Sequence, residues 1–355
     1  MRRLPFSLME DNMNDLYLES GYVNMARIIE TDVPFIFVIG GRGTGKTYGA
    51  LQYMLDHDST FMLMRRTQTQ IDMIKDEDFS PFKVFEDRNI IVKNINKNIT
   101  GIYEGVYDEA KMLNSAAGKP IGYLCALSTI SNIRGFSAED IEYIVYDEFI
   151  GEKHERALKD EGSAFLNAYE TINRNRELKG IRPVKMIALA NSNNLVNPIF
   201  MQLKLVTIVE RMKEKNNEVY INKEKGFAIF MLNETEITRA KEKTALYKLS
   251  GDSEFSRMSL KNDFSSEEKA LIGNRNLKDY KPVCFVGEIA IYSKERQYYV
   301  TDYRKGSAKT YEASVMDLKR FKRDQYRLWL AYLNNRVMFE SYFMQTLFER
   351  YFGIW

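Results

Sequence analysis

The first strong hydrophobic pattern in the chain is a continuous apolar run that leads into a glycine-rich loop. Residues 33–39 read VPFIFVI, and an unbroken run of this kind predicts a strand buried on both faces of a sheet. The run ends at Gly40, and residues 48–55 then predict a helix. The sequence therefore predicts a strand, a loop and a helix in that order.

Further apolar and alternating runs follow, separated by helical and polar segments. Buried strands are predicted at residues 60–66, 122–128, 141–147 and 184–190. Hairpins are predicted for residues 90–95 with 99–104 and 218–221 with 227–232. Strands that alternate with helices in this way predict an α/β fold with a doubly wound sheet.

The pattern changes after residue 232, so the chain is divided there. Residues 233–264 are polar and helical, which is typical of a linker or lid subdomain. Beyond them, strands are predicted at 282–292, 296–303 and 308–312, and helices near 316–334 and 337–351. The predicted domains are 1–232, 233–264 and 265–355.

Composition narrows the class of protein. The chain has 355 residues, of which 45% are hydrophobic and 28% charged, as in an ordinary soluble globular protein. A net charge of +2 is too small to indicate a nucleic-acid partner by itself. No apolar run is long enough for a membrane span and no signal-peptide core follows the N-terminus, so we expect a cytoplasmic protein without a membrane partner.

Cysteine and histidine are scarce. The two cysteines, Cys125 and Cys284, lie in apolar segments and are interpreted as buried thiols of a reducing compartment. The chain has two histidines, His57 and His154. We therefore expect neither a histidine metal site nor Ser-His-Asp hydrolysis.

The loop after the first strand matches the phosphate-binding pattern GxxxxGK[ST]. Its members are Gly40, Gly41, Arg42, Gly43, Thr44, Gly45, Lys46 and Thr47. Glycines let backbone N–H groups curl around a phosphate, and the following helix directs its positive dipole end to the same place. Lys46 is predicted to reach the β- and γ-phosphates of ATP, and the Thr47 hydroxyl to bind Mg²⁺.

A second motif ends the strand at residues 141–147. Asp147 is predicted to hold Mg²⁺ opposite Thr47, and Glu148 to act as the base that polarises the attacking water. A strand that ends in Asp-Glu is common, but the loop about 100 residues upstream makes the pair specific. No Asn-Lys-x-Asp motif occurs, which disfavours a GTPase.

Several polar residues follow predicted helices or strands. Arg174 is the first candidate, and Arg176 the second, for an arginine that reaches the γ-phosphate of a neighbouring subunit, and the alternative is a solvated helix end. Asn191, at a strand end, is predicted to sense the γ-phosphate. Arg65 and Arg66 either contact nucleotide or nucleic acid or form a charge pair that caps a strand.

Two basic clusters have two readings each. Lys93 and Lys97 near a hairpin tip either touch a phosphate backbone or belong to a solvated turn. A predicted helix carries a run that either contacts nucleic acid or is a solvated face. The run consists of Lys319, Arg320, Lys322 and Arg323.

Five segments carry a family resemblance. They are residues 37–46, 144–150, 173–177, 189–198 and 254–260. In these segments the chain resembles viral double-stranded DNA packaging ATPases, and in particular the motors of small short-tailed phages that replicate by protein priming, the phi-twenty-nine group. The arginine inside the glycine-rich loop and the Asn-Arg-Asn-Arg-Glu element are more specific than the two nucleotide motifs.

The resemblance implies a fold and a role for each domain. Residues 1–232 would form a RecA-like P-loop NTPase domain of the additional-strand, catalytic-glutamate class, and residues 233–264 a linker. Residues 265–355 would form a degenerate RNase H-like α+β docking domain. The resemblance also implies that Arg174 acts in trans and that Arg134 lies near the neighbour's nucleotide.

The resemblance implies an ATP-driven motor that translocates double-stranded DNA into a preformed procapsid. Its partners would be further copies of itself in a homomeric ring, a pentamer, together with the portal or connector protein and a structural packaging RNA. The motor would work in the host cytoplasm, transiently docked on the procapsid.

The C-terminal segment departs from the nuclease pattern of larger relatives. A two-metal nuclease needs several carboxylates in one small site, whereas Glu288, Glu295 and Asp302 are scattered. We therefore expect no nuclease activity. The alternative to a motor is a P-loop phosphotransferase or a nucleotide-dependent switch; a helicase is disfavoured because no aromatic stacking pattern is evident.

Overall fold

The computed structural model describes most of the chain, in segments with gaps between them. The described residues are 15–108, 113–133, 135–136, 139–151, 158, 160–191, 197–233, 236–251, 253 and 271–353. Two sequence predictions, the role of Arg134 and the motif at 254–260, therefore lie outside the described residues.

The chain divides into two compact units. The first contains the described parts of 1–194 and 211–263, and the second those of 195–210 and 264–355. The predicted boundaries at residues 232 and 264 stay predictions, and no sequence pattern indicated that residues 195–210 would join the second unit.

Helices and strands alternate along much of the chain. The helices are α1 (Met25–Ile29), α2 (Lys46–Asp56), α3 (Gln68–Ile74), α4 (Glu161–Asn173), α5 (Pro198–Gln202), α6 (Val206–Glu214), α7 (Glu236–Glu242), α8 (Ala245–Ser250), α9 (Val315–Asp324), α10 (Tyr326–Leu333) and α11 (Tyr342–Phe352). The strands are β1 (Phe35–Gly40), β2 (Phe61–Arg65), β3 (Ile90–Asn94), β4 (Ile99–Asp108), β5 (Leu113–Ala126), β6 (Tyr143–Asp147), β7 (Lys185–Asn191), β8 (Val219–Asn222), β9 (Phe227–Met231), β10 (Lys281–Val286), β11 (Ile289–Lys294), β12 (Gln297–Thr301), β13 (Lys309–Tyr311) and β14 (Val337–Phe339).

The first unit is built on one large sheet. Its strands among the described residues lie in the order β3–β4–β5–β2–β6–β7–β1–β9–β8. From β5 through to β9 each neighbouring pair is parallel, and antiparallel strands flank this block on both sides. Gly40, Arg65, Asp147 and Asn191 therefore end their strands at the same edge, here called the carboxyl edge.

Helices cover both faces of this sheet, as a doubly wound fold requires. On one face, side chains of α1, α2 and α3 join a core with Val38, Leu63 and Leu189. On the other, Phe165 of α4 lies with its ring centroid 6.2 Å from that of Phe37 and 6.0 Å from that of Tyr146. Burial of large apolar side chains on both faces, at about 1.5–3 kcal/mol each, holds the strand ends in fixed positions.

The second unit contains a smaller mixed sheet. Its strands among the described residues have the order β13–β10–β11–β12–β14, with antiparallel pairing from β10 to β12 and parallel pairing at both outer strands. Phe321, Leu328 and Phe348, one from each of α9, α10 and α11, are buried in its core.

Several predicted elements differ from the structure. The helix expected at 316–334 is two helices that meet at Gln325. The helix expected at 337–351 begins instead as the strand β14, because Val337 pairs with Tyr298 of β12. Pairing with β4 likewise extends β5 back to Leu113, well before the predicted start at residue 122. Local propensity was overridden by tertiary strand pairing in the last two cases.

Within the described segments, no helix combines the length and the apolar character needed to cross a bilayer. Cys125 and Cys284 are buried free thiols, as predicted, and burial raises the pKa of each to about 12.

Candidate functional site

The glycine-rich loop joins β1 to α2 at the carboxyl edge. Gly43 and Gly45 have φ values of +68° and +92°, a left-handed conformation that side chains with a Cβ rarely adopt. Gly45 is the N-cap of α2, so the first backbone N–H groups of that helix point toward the loop. The backbone N–H of Val23 donates to the Thr44 carbonyl at 3.0 Å and ties the loop to the preceding segment.

The Lys46 ammonium is folded back onto its own loop. It donates to the carbonyl oxygens of Gly40 at 3.0 Å and Gly41 at 2.7 Å. It also lies 3.3 Å from Thr44 Oγ1 and 3.4 Å from Asn191 Oδ1. Burial lowers the pKa of Lys46 to about 8, although Asp147 opposes the shift. An anion in the loop would raise the pKa of Lys46 again, because a nearby negative charge favours the charged ammonium.

Asp147 lies across from the loop at the end of β6. Its Oδ2 accepts a hydrogen bond from Thr47 Oγ1 at 2.9 Å and is 2.9 Å from Arg65 Nη2. Burial raises the pKa of Asp147, while the Arg65 guanidinium favours the ionised form. The hydroxyl and the carboxylate that the sequence assigned to Mg²⁺ are thus in direct contact, and both are oxygen ligands of the type that Mg²⁺ prefers.

Glu148 follows Asp147 in an unusual backbone conformation. Its φ is +58°, and its backbone N–H donates to Asp147 Oδ1 at 3.0 Å. The carboxylate is about half exposed and is 2.6 Å from Arg65 Nη1. Left-handed backbone at a bulky residue costs about 1–3 kcal/mol and concentrates at functional sites. Arg65 therefore bridges the two carboxylates.

A cavity of about 210 Å³ joins these residues. Its lining includes Asn191, which pairs with Gly40 across β7 and β1. Because β7 lies between β1 and β6, Asn191 is placed between the loop and the carboxylates. The full lining is Gly43, Gly45, Lys46, Thr47, Tyr48, Asp147, Glu148, Ala190 and Asn191.

Arg42 and Lys241 add positive charge at the loop. The Arg42 side chain is exposed, and its carbonyl oxygen accepts a hydrogen bond from Lys241 Nζ at 2.5 Å. Both cations further lower the pKa of Lys46. The sequence predicted Arg42 as part of the site but not Lys241, because nothing in the polar segment around α7 indicates which of its cations meets the loop.

The two arginines after β2 have different surroundings. Arg65 lies in the site, whereas Arg66 is buried and pairs with Glu161, with Nε 2.7 Å and Nη2 3.1 Å from its carboxylate oxygens. The Tyr146 hydroxyl donates to the same carboxylate at 3.5 Å. Arg66 thus fixes the start of α4 at the carboxyl edge.

The other end of α4 is at the opposite edge of the sheet. Asn173 accepts a hydrogen bond from the backbone N–H of Val184, just before β7 begins. The Arg174 guanidinium donates to the Phe136 carbonyl at 2.5 Å, and that of Arg176 to the Glu139 carbonyl at 2.9 Å. The helix has 13 residues and is therefore about 20 Å long.

Of the predicted site residues, those of the loop, Asp147, Glu148 and Asn191 lie together at the carboxyl edge. Arg174 does not line their cavity. In the second unit, burial raises the pKa of Asp302, and the nearby Glu340 carboxylate raises it further. Within the described segments, no group of three or more His, Cys, Asp or Glu side chains converges as a metal site would require.

The fold and site define an α/β protein with a large parallel sheet and a polar cavity at the carboxyl ends of its strands. A family model described as podovirus DNA encapsidation protein (Gp16) matches residues 18–320. The chain therefore belongs to the podovirus Gp16 family of DNA encapsidation proteins. The resemblance to the phi-twenty-nine group is confirmed.

Individual relatives agree with the family. The DNA packaging protein of Bacillus phage phi29 is 26% identical over 268 residues, which are 74% of this chain and 71% of that protein. The DNA packaging protein of Bacillus phage B103 is 23% identical over 331 residues, 88% of this chain and 94% of the relative. A chain of the bacteriophage phi29 viral genome packaging motor assembly has a TM-score of 0.64 at 18% identity, and the match covers 94% of this chain and 98% of that one. The last comparison shows a shared fold.

Proposed function

We propose that the chain is the ATPase of a viral motor that drives double-stranded DNA into a preformed procapsid. The observation that carries the proposal is one cavity. In it, the loop lysine Lys46 and the pair Thr47–Asp147 lie beside Glu148, in a member of a DNA encapsidation family.

The loop supports ATP as the nucleotide. Its left-handed glycines expose backbone N–H groups, and Lys46 would exchange the carbonyls it now contacts for phosphate oxygens. Thr47 and Asp147 would hold Mg²⁺, which supplies charge neutralisation at the phosphates when bound. The position of β7 between β1 and β6 supports the RecA-like, additional-strand class of P-loop NTPase.

Glu148 is the candidate general base. Its carboxylate faces the cavity from the residue after Asp147 and is half exposed, so a water molecule has access to it. Arg65 holds this carboxylate at 2.6 Å, which would keep Glu148 from polarising water until the pair separates. Asn191 would contact the γ-phosphate from the neighbouring strand end.

The position of Arg174 supports a site shared between subunits. It lies at the far end of a helix of about 20 Å that starts beside the site, so it does not reach its own cavity. In a homomeric ring it would approach the neighbour's nucleotide, where an arginine finger typically contributes about 10³–10⁵ in rate. A pentameric ring is proposed from the family resemblance.

The other partners are also proposed on that basis. They are the portal or connector and a structural packaging RNA, with the complex docked transiently on the procapsid in the host cytoplasm. For the second unit, a mixed sheet with helices packed against it supports the degenerate RNase H-like docking domain. Nuclease activity is not expected of it.

The experiment is a steady-state ATPase assay on the assembled chain with and without double-stranded DNA. We expect DNA to stimulate turnover, and Glu148→Gln to abolish turnover while ATP binding is retained. Glu142→Gln, which alters an exposed glutamate just before β6, is the matched control. ATP turnover that is unaffected by DNA would favour a phosphotransferase or switch and contradict the motor.

A further inference from the structure

A lysine from outside the loop is positioned over its centre. Lys241, near the end of α7, donates from Nζ to the Arg42 carbonyl oxygen at 2.5 Å. Its Nζ is 2.1 Å from the point that a Cβ on Gly43 would occupy. Gly43 lines the cavity and Lys241 does not, so the ammonium lies beside a residue of the cavity wall.

The charges around Lys241 are unfavourable for a lysine with a purely structural role. Within the described part of the chain, no carboxylate forms an ion pair with it, and its contact is a neutral carbonyl. Partial burial lowers the pKa of Lys241, and no nearby carboxylate counteracts the shift. The charges of Lys241 and Arg42 each lower the pKa of Lys46, so both cations lie within electrostatic range of the loop lysine.

Lys46 and Lys241 share one arrangement. Each directs its ammonium to backbone carbonyls of the same loop, Lys46 to those of Gly40 and Gly41 and Lys241 to that of Arg42. The positive charges of Lys46, Arg42 and Lys241 at one loop raise the free energy of the empty loop, and Asp147 and Glu148 offset only part of this cost at Lys46. A polyphosphate between the two ammonium groups supplies further negative charge and accepts charge-assisted hydrogen bonds.

We propose that Lys241 is a second phosphate-binding lysine, which contacts the terminal phosphates of the nucleotide from α7. The proposal rests on the proposed function, since it assumes that the loop binds a nucleoside triphosphate. Binding would then join two separate parts of the first unit, the loop and α7. The occupancy of the site would be communicated to the segment that follows the large sheet.

The test is equilibrium binding of ATP, ADP and AMP to the full chain carrying Lys241→Ala. A charge-assisted hydrogen bond to phosphate contributes enough for us to expect ATP affinity to fall about 10-fold to 100-fold. ADP affinity should fall less and AMP affinity should not change. Lys241→Arg should retain most of the ATP affinity, and Lys243→Ala, which removes an exposed lysine two residues away, is the control.

A second readout follows α7 itself. Hydrogen exchange of the α7 amides should slow when ATP is added to the wild type and to Lys243→Ala, but not to Lys241→Ala. ATP affinity of Lys241→Ala within about twofold of wild type, while Lys46→Ala loses binding, would overturn this proposal alone. A wild-type chain that binds no triphosphate would overturn the proposed function and this inference together.

Discussion

The buried ammonium of Lys46 should make the stability of the nucleotide-free protein depend on pH in a defined way. The perturbation is Lys46→Met, which keeps an unbranched side chain and removes the titrating group. Burial lowers the pKa of Lys46 from 10.5 to about 8 in the folded state. A pKa difference of one unit corresponds to about 1.4 kcal/mol, so the charged lysine lowers the free energy of unfolding by about 3 kcal/mol at pH 7.

The sign of the effect follows from the order in which the two states lose the proton. Below pH 8 the ammonium is charged in both states and the full cost is present. Between pH 8 and 10.5 the folded state is deprotonated first, so the cost shrinks as the pH rises. The difference in unfolding free energy between wild type and Lys46→Met should therefore change by about 2 kcal/mol from pH 8 to about pH 9.5.

The assay is urea unfolding of the full chain, followed by circular dichroism, at several pH values across this range. The measured quantity is the change with pH of the difference in unfolding free energy between wild type and Lys46→Met. This change does not depend on the hydrogen bonds that the substitution also removes. Lys97→Met, which removes an exposed lysine near a hairpin tip, is the control for the loss of one charge. A difference between wild type and Lys46→Met that stays constant within about 0.5 kcal/mol would refute the reasoning.

Three further predictions concern the core of the first unit, the subunit interface and the DNA. Arg66→Met or Glu161→Gln should lower the unfolding free energy by about 3–5 kcal/mol, because each leaves a buried charge or dipole without its partner; thermal unfolding that matches the wild type would contradict this. Arg174→Ala should spare ATP binding but reduce turnover by about 10³-fold or more, whereas the control Arg182→Ala, which removes an exposed arginine shortly before β7, should keep normal turnover. Mixing Arg174→Ala with Glu148→Gln chains should restore part of the turnover, and normal turnover by Arg174→Ala rings would exclude the finger. Affinity for double-stranded DNA should fall about a thousandfold between about 50 and 200 mM salt if six phosphates are contacted, equally for unrelated sequences; a sequence-dependent, salt-independent affinity would be incompatible with a phosphate grip.

The large sheet was predictable because its strands are local patterns. A strand buried on both faces needs a continuous apolar run, and β1, β2, β6 and β7 each have one. The same holds for the loop, whose glycine spacing is a local requirement of backbone conformation. Since parallel strands share one carboxyl edge, the convergence of Asp147 and Asn191 on the loop also followed from the sequence.

Features that depend on distant partners were not predictable. The strand β14 has helical neighbours in sequence and becomes a strand through pairing with β12. Lys241 is one of several cations in a polar segment, and its position over Gly43 is visible only in three dimensions. The arginines Arg65 and Arg66 are adjacent in sequence but have different partners. Side chains alternate between the two faces of a strand, but this alternation does not say which arginine faces the cavity.

The length of α4 has a consequence for copies of the protein that have not yet assembled. The helix is about 20 Å long and places Arg174 at the end away from the carboxyl edge. Under the proposed function, a solitary subunit would therefore bind ATP but hydrolyse it slowly. Unassembled copies would then hydrolyse little ATP until assembly brings a neighbouring subunit into contact.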